Sequence, residues 1–476
     1  MFSVESINKV KSGIYINGRW IHHDEYFTVY NPTNMNAISK VTNANLDHAK
    51  EAIISAVNAF SVWSQKTPFE RSRYLRNYYE LILAHKYELA EIIHLEQGKS
   101  LKEALGEVEK AGEYVLWFSE ECKRIKGDLL PSLNLNQTIL VEKEPIGVVT
   151  AITPWNQPVG MVLRKIAPAL AAGCVVIVKP SHETPLSCIR LIELFDKADF
   201  PYGVINLITT TDENEVGSLL TSHPAIKAVT FTGSSKTGNL IMKNASSKKL
   251  IMELGGHAPF IAFEDCNIDN TVESLIKAKF RTAGQTCVSV NMLFIESTIY
   301  KDFLRTLLKK LHQLNGNSDF NIPLINQSAV KKVKDHVIDA LDKGASIIYG
   351  ESSLKNYNLF INPIVLSDIT PEMKVTFEET FGPVLPVISF KSIDDIMKLV
   401  NLNEYGLAAY IFTEDIGKAL KLQKEFKFGV IGINESRPTA VHVPFGGFNK
   451  SGVGKEGGQL GIEEFLINKS IYINYN

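Results

Sequence analysis

The chain has 476 residues, of which 45% are hydrophobic, and its formal net charge is −2. That length exceeds one ordinary compact domain and predicts two or three, each with enough apolar residues for a sizeable core. A near-neutral balance gives no reason to expect nucleic acid, and the longest apolar run, Ile166 to Val178, is interrupted by Pro168 and Gly173 and is too short to span a bilayer, so no membrane is expected.

The segment Met1 to Ile14 mixes Glu, Lys, Asn and Ser without an apolar core, unlike a secretory signal, so the expected location is cytoplasmic. The first third reads as mostly helical: Leu46 to Gln65, Phe69 to Leu95 and Ser100 to Arg124 carry apolar residues at intervals of three and four, which buries one helix face. From Ile146 onward short β-branched runs alternate with helical patterns. Strands are predicted at Gly147 to Thr153, Cys174 to Val178, Val204 to Thr209 and Ala228 to Thr232, with helices near Val159 to Ala172, after Thr184 and from Ser235. Repeated strand and helix units form a parallel sheet covered on both faces, with ligands at the carboxyl ends of the strands.

A second α/β series begins near Ala258 to Phe263 and continues through Leu293 to Glu296 and Pro363 to Leu366, which suggests a separate domain. Pro131 to Lys143 and the tail Ser470 to Asn476 belong to neither series. Each fits a strand that pairs with another subunit, or an ordinary edge strand.

Five cysteines, Cys122, Cys174, Cys188, Cys266 and Cys287, show no CxxC or other metal-like spacing, and their odd number argues against a full disulfide framework. Free thiols and no metal are expected. Buried, inert thiols are the ordinary reading of the first four. Gly284-Gln285-Thr286-Cys287 differs, because a small, turn-prone sequence presents the thiol to a cleft. Met252-Glu253-Leu254-Gly255-Gly256 places a carboxylate at the end of an apolar strand before two glycines that allow close backbone approach. Burial there raises the carboxyl pKa toward that of a base working near neutrality. Thr153-Pro154-Trp155-Asn156 follows a predicted strand with an amide donor suited to an oxyanion, although an Asn beside Pro is also common in plain turns. Phe231 to Gly238 links a strand to a helix whose N–H groups can meet a pyrophosphate. Its spacing is GxxxxG, neither the GxGxxG fingerprint nor a P-loop.

Together and in this order these segments resemble the aldehyde dehydrogenase superfamily over almost the whole chain. Lys179-Pro180-Ser181, Glu379-Thr380-Phe381-Gly382-Pro383, and Pro444-Phe445-Gly446-Gly447 followed by Ser451-Gly452 agree with it. The resemblance implies an α/β subunit in three parts. A Rossmann-type parallel-sheet cofactor domain would span residues 1–124 and 144–254, with 451–465 returning to it. An α/β catalytic domain would span 255–450, and a β oligomerisation arm 125–143 and 466–476, in a homodimer or homotetramer.

The resemblance also implies roles. Cys287 would be the nucleophile, Glu253 the general base, and Asn156 with the Cys287 N–H the oxyanion hole. Lys179 would bind the adenosine ribose, Gly233 and Ser234 with Trp155 the pyrophosphate, and Glu379 and Phe381 the nicotinamide ribose and ring. Thr153, Gly238 and Leu254 would complete the cofactor contacts. The implied reaction oxidises a small-molecule aldehyde to its acid through a hemithioacetal and a thioester. A free thiol has a pKa of about 8.5, so a base or the cofactor's positive ring must raise the thiolate fraction.

Within the superfamily, Phe280 to Val288, Leu95-Glu96-Gln97-Gly98-Lys99 and Leu163-Arg164-Lys165 are most similar to succinate-semialdehyde dehydrogenases. There, Arg164 and Arg281 would pair with the substrate's distal carboxylate, helped by Thr439 and Phe445. Three departures stand out. Arg437-Pro438 replaces the smaller apolar residues expected in that loop, Ser289 replaces a second cysteine, and Leu314 to Pro323 looks shortened. Where NAD-preferring members carry a carboxylate three residues after the lysine, this chain has His182, with Glu183 next, so NADP remains open beside a slight lean to NAD. The alternatives are a dehydrogenase for an aliphatic, aromatic or amino aldehyde with structural arginines, a non-catalytic relative, and a CoA-acylating relative. The intact Cys287, Glu253 and Asn156 weigh against a non-catalytic relative, and the presence of the base Glu253 weighs against a CoA-acylating one.

Overall fold

A computed structural model describes residues 10–314, 320–351 and 359–475. The chain starts with two hairpins, β1 (Ile14–Ile16) with β2 (Arg19–Ile21) and β3 (Tyr26–Tyr30) with β4 (Ala37–Thr42). Asn17 and Gly18 both take positive φ (50° and 77°), which is the turn an Asn-Gly pair makes between two short strands. These strands correct the expectation of a mostly helical first third. At three to six residues they are too short for alternation to announce them.

Helix α1 (Leu46–Trp63) starts under the Asn45 side chain, which accepts from the N–H groups of Asp47 and His48. The single helix expected over Phe69 to Leu95 is two, α2 (Pro68–Ala84) and α3 (Lys86–Gln97). His85 separates them at φ −110°, ψ 17°, and its ring Nδ1 lies 2.8 Å from the Leu81 carbonyl. Both pieces keep the same apolar phase, so periodicity cannot reveal the break. Helix α4 (Leu101–Glu121) follows, with a 3₁₀ turn over Cys122–Arg124.

After β5 (Asp128–Leu130) and β6 (Gln137–Pro145), the chain alternates β7 (Val148–Ile152), α5 (Gly160–Ala172), β8 (Val175–Lys179), α6 (Pro185–Lys197), β9 (Ile205–Leu207), α7 (Glu215–Ser222), β10 (Ile226–Thr232), α8 (Ser235–Asn244) and β11 (Lys249–Glu253). Strands β9, β8, β7, β10 and β11 lie side by side in parallel, with β7 and β8 buried along their full length. Helix α5 runs through Pro168, whose missing N–H leaves the Arg164 carbonyl without its helical donor, and it ends at Gly173 in the left-handed region (φ 99°).

A second sheet is built from β12 (Ala258–Ala262), α9 (Ile268–Phe280), β13 (Val290–Glu296), α10 (Tyr300–Leu314), α11 (Gln327–Asp342), β14 (Ser346–Tyr349), β15 (Ile364–Ser367), β16 (Val384–Phe390), α12 (Ile393–Leu402), β17 (Tyr405–Gly406), β18 (Ala408–Phe412), α13 (Ile416–Glu425) and β19 (Val430–Ile433). Its order is β14-β15-β16-β13-β12-β18-β19, while β17 pairs instead with β20 (Phe448–Asn449). Positions 315–319 of the stretch that looked shortened lie outside the described residues.

The chain then returns to the first sheet, where β21 (Gly452–Val453) lies antiparallel to β11, and closes with α14 (Gly458–Glu463) and β22 (Leu466–Asn474). The tail pairs over its whole length with β6, and β5 completes that three-stranded sheet. The strand expected over Pro131 to Lys143 is therefore shifted: residues 131–136 connect β5 to β6, and β6 runs on to Pro145. Both orphan segments pair with each other inside one chain. Asn476 lies outside the described residues.

Candidate active site

Cys287 follows a turn with an unusual backbone. Thr282, Ala283 and Gly284 all take positive φ (49°, 53° and 74°), a conformation that costs energy for the two residues with a Cβ. Gln285 fastens the turn from within: it is fully buried, its Nε2 donates to the carbonyls of Thr282 and Pro323, and its Oε1 accepts from Ile325 N–H. Gly256 passes beneath, where a Cβ would sit 2.1 Å from the Cys287 carbonyl oxygen, so the second glycine after Glu253 is required by close approach. Burial, then the negative charges of Glu253 and Glu379, push the Cys287 thiol up to about 12.

Glu253 ends β11, and neither of its carboxylate oxygens has a hydrogen-bond partner among the described residues. Burial first, and the negative charge of Glu456 second, raise it well above the ordinary carboxylate range against the opposing charges of Arg164, Lys165 and Lys455. Glu456 is placed by a backbone bridge in which Phe445 and Glu456 exchange N–H donors at 2.7 and 2.8 Å. Fully buried Lys165 donates to Glu456 Oε1 at 2.5 Å and to Thr230 Oγ1 at 3.2 Å. Two acids and two cations thus share one dry cluster with the thiol at its edge.

Asn156 lies just beyond β7, and its Nδ2 donates to the Gln285 carbonyl at 3.0 Å. One amide hydrogen is so anchored, which orients the other. Buried Lys99 holds the backbone of the same residue, with Nζ 2.8 Å from the Asn156 carbonyl and 2.6 Å from Glu107 Oε2. The other Glu107 oxygen accepts from the N–H groups of Val159 and Gly160 at the start of α5.

A cavity of about 520 Å³ opens on Cys287, with Arg164, Arg281, Thr439 and Phe445 among its lining residues. Arg164 is buried with its guanidinium carbon 4.2 Å from the Phe445 ring centre, and its Nε stands 2.7 Å from Glu456 Oε2 with the N–H off the line of a hydrogen bond. Its charge is thus already partly engaged. Thr439 Oγ1 accepts from Lys110 Nζ at 2.7 Å, so the hydroxyl expected to face the substrate also holds a lysine.

The remaining sequence-predicted residues gather along the carboxyl ends of β7, β8, β10 and β11. Gly233 leads into Ser234, whose hydroxyl caps α8 by accepting from Thr237 N–H at 3.1 Å. Gly238 packs so close to Leu254 that a Cβ would lie 2.4 Å from its Cδ2. The Lys179 side chain is buried with no hydrogen bond or ion pair, and Thr153 Oγ1 is also buried without a partner, among the described residues. Trp155 meets Phe381 edge to face at 5.7 Å, and Glu379 accepts from Gly256 N–H at 2.9 Å. Orphaned polar groups beside a glycine turn and a helix N-terminus fit a nicotinamide dinucleotide. Glu183 does not stand free for a ribose: its Oε1 accepts from Asn326 Nδ2 at 2.6 Å, and His182 lies 3.8 Å from Glu213.

A thiol on a cavity wall, a buried carboxylate unpaired among the described residues and an anchored amide stand together at the edge of a parallel-sheet crevice, the setting of an oxidoreductase. The chain belongs to the aldehyde dehydrogenase family, whose sequence model matches residues 20–471. It is 39% identical over 475 residues to 3-sulfolactaldehyde dehydrogenase of Pseudomonas putida, covering 98% of both chains. It is 40% identical over 460 residues to succinate-semialdehyde dehydrogenase [NADP(+)] of Escherichia coli, covering 95% of each. The solved structure of betaine aldehyde dehydrogenase from Staphylococcus aureus in complex with NAD+ superposes with a TM-score of 0.95 at 32% identity, over 99% of this chain and 96% of that one.

Lys165, Glu456, Lys99 and Glu107 were not singled out in the sequence for these positions. Lys165 and Lys99 stood inside quoted motifs, but only folding puts them against Glu456 and Glu107.

Proposed function

We propose that the protein oxidises a short aldehyde with a distal anionic group, succinate semialdehyde first among them, to the corresponding acid with NAD or NADP. The observation that carries this reading is that Cys287, Arg164 and Arg281 line one cavity, with the thiol and the guanidinium groups on the same enclosed space. A sulfonated aldehyde is the second reading, favoured by the 39% identity to 3-sulfolactaldehyde dehydrogenase.

In this reading Cys287 gives its proton to solvent water in the cavity and attacks the aldehyde carbon as the thiolate, and the oxyanion is received by Asn156 Nδ2 and the Cys287 N–H. A bound nicotinamide would supply the hydride acceptor, and loss of the hydride from the carbon on Cys287 re-forms the carbonyl as a thioester. Glu253 then takes a proton from water, whose hydroxyl adds to the thioester carbon. The thiolate departs and the carboxylic acid is released. Lys179, Gly233, Ser234 and Trp155 hold the dinucleotide, with Glu379 and Phe381 at its reactive end. The Asn326 amide holds Glu183 away from a direct bond to the ribose, while His182 stands beside the position of a 2′-phosphate, so both cofactors belong to the proposal. The division into a cofactor domain, a catalytic domain and an arm that joins subunits belongs to the same proposal.

The test is reduced-cofactor formation with NAD and with NADP over succinate semialdehyde, a sulfonated aldehyde and butanal. Cys287→Ala is expected to abolish all turnover, and Arg164→Ala with Arg281→Ala to lower the preference for the anionic substrates. An unchanged preference overturns the anionic-substrate reading.

A further inference from the structure

Although the whole chain carries a net charge of −2, the wall of the cavity at Cys287 is cationic: Lys99, Lys102, Lys110, Lys277, Arg164, Arg281 and Arg437 line it, against Glu103 and Glu107 among the described residues. Glu107 is consumed by Lys99 and two backbone N–H groups. Such a wall raises the local concentration of anions well beyond what one arginine pair achieves.

Two of these cations are arranged as a unit. Lys110 sits on the cavity face of α4, and its Nζ donates to both the Oγ1 and the carbonyl of Thr439. Thr439 N–H donates to the Arg437 carbonyl at 2.8 Å, and Arg437 N–H to Glu435 Oε1 at 2.6 Å, so the turn around Pro438 is fastened at both ends. Arg437 makes no ion pair among the described residues. Burial, and then the positive charges of Arg281 and Arg164, with Arg437 behind them, lower the Lys110 pKa against the opposing charge of Glu113. A planar carboxylate offers two oxygens, which the forked guanidinium groups of Arg164 and Arg281 suffice to bind. A four-carbon aldehyde acid also fills only a fraction of a 520 Å³ cavity.

We propose that Arg437, backed by Lys110, is a specificity-determining residue. It adds a second cationic tier, so the cavity favours short aldehydes whose distal group is a three-oxygen anion, a sulfonate or a phosphate, over those ending in a carboxylate. This rests on the anionic-substrate reading above and reorders it, placing three-oxygen anions ahead of succinate semialdehyde. Lys110 is a positioning residue that holds the turn from which Arg437 reaches the cavity.

The experiment measures kcat/KM of the full-length protein with a sulfonated aldehyde, a phosphorylated aldehyde, succinate semialdehyde and butanal, for wild type, Arg437→Ala, Arg437→Lys and Lys110→Met. The expected result is a fall of about tenfold or more in Arg437→Ala for both three-oxygen anions, the worth of one charge-assisted hydrogen bond. Succinate semialdehyde should fall less, butanal should not change, and Arg437→Lys should recover part of the loss. Lys110→Met should follow Arg437→Ala in direction through KM with kcat retained. Equal losses for all three anions, or none, overturn the second tier while leaving the first intact. Wild-type turnover of butanal as efficient as that of the anions removes the underlying reading instead. The sulfonated and phosphorylated arms tell three-oxygen shape from double charge: a loss confined to the phosphorylated aldehyde overturns the assignment of sulfonates.

Discussion

Lys99→Met separates what holds Asn156 from what Asn156 does. The side chains of Lys99 and Glu107 are only 3% and 6% exposed, and their charged atoms are 2.6 Å apart. Removing one member of a buried pair costs about 3–5 kcal/mol. Glu107 keeps the Val159 and Gly160 N–H donors at 3.0 Å, which places the expectation at the lower end, about 3 kcal/mol. The melting temperature should drop by several degrees. The Asn156 carbonyl loses its charged donor as well, while its Nδ2 stays tied to Gln285. Displacing a reactive group by about 1 Å costs on the order of 100-fold, so kcat should fall by roughly 10- to 100-fold with cofactor affinity unchanged. Asn156→Ala, which removes the donor itself, should cost about 100- to 1,000-fold. If Lys99 works through Asn156, the double variant is no slower than Asn156→Ala alone. Single-turnover rates below the melting transition decide this. Multiplying losses, or a folded Lys99→Met enzyme with full kcat, refutes the reasoning.

Four further outcomes follow from the same geometry. Glu253→Gln should retain a stoichiometric burst of reduced cofactor and then stall with Cys287 acylated, visible as an added mass on the intact protein; steady turnover would show that another group activates water. Glu253 must be ionised to act as a base, and burial and then the charge of Glu456 raise its pKa, so acid release should increase with pH above the ordinary carboxylate range. Glu456→Gln removes one of the raising influences, and the acid limb of the pH profile should move to lower pH; a limb that stays or moves up contradicts the coupling. Gly446→Ala would put a Cβ 2.7 Å from Glu253 Oε1 at a φ of 153°, so activity should drop more than thermal stability.

Lys279 is fully buried with no hydrogen-bond partner for its Nζ among the described residues, and burial lowers its pKa from 10.5 to about 7. A lowered pKa means stability that is lost as pH falls from 10.5 toward 7, because over that range the unfolded state binds a proton that the folded state does not. Lys279→Met should therefore raise the melting temperature most at pH 7 or below, with the gain shrinking toward pH 10. A gain independent of pH would assign it to packing alone.

Residues whose chemistry shows in their immediate neighbours were legible in the sequence. Gly284 to Cys287 announces a turn that presents a thiol, the apolar runs of β7, β8, β10 and β11 announce a parallel sheet, and Gly255-Gly256 signals a close approach whose partner turns out to be the Cys287 carbonyl. What escaped depends on pairings far apart in the chain. Glu456 reads as a charged residue between glycines until the bridge to Phe445 turns it toward Lys165, 291 positions earlier. Thr439 has the right hydroxyl, but only the fold shows Lys110 on it. The hairpins before α1 carry too few residues for a period, and the His85 break leaves the apolar phase undisturbed.

The pairing of β21 with β11 also sets an order of events during synthesis. Thiol, oxyanion donor and base have all been translated by residue 287, yet Phe445, Gly446 and Glu456, which close over Glu253, come last. At a synthesis rate of about 5–20 residues per second, roughly ten to thirty seconds separate Cys287 from Glu456. During that interval a nascent chain carries a nucleophile whose surroundings are not yet dry. Chains cut short before 456 would keep a cysteine open to oxidants and electrophiles in the cell, so for this protein truncation is a chemical hazard as well as a loss of activity.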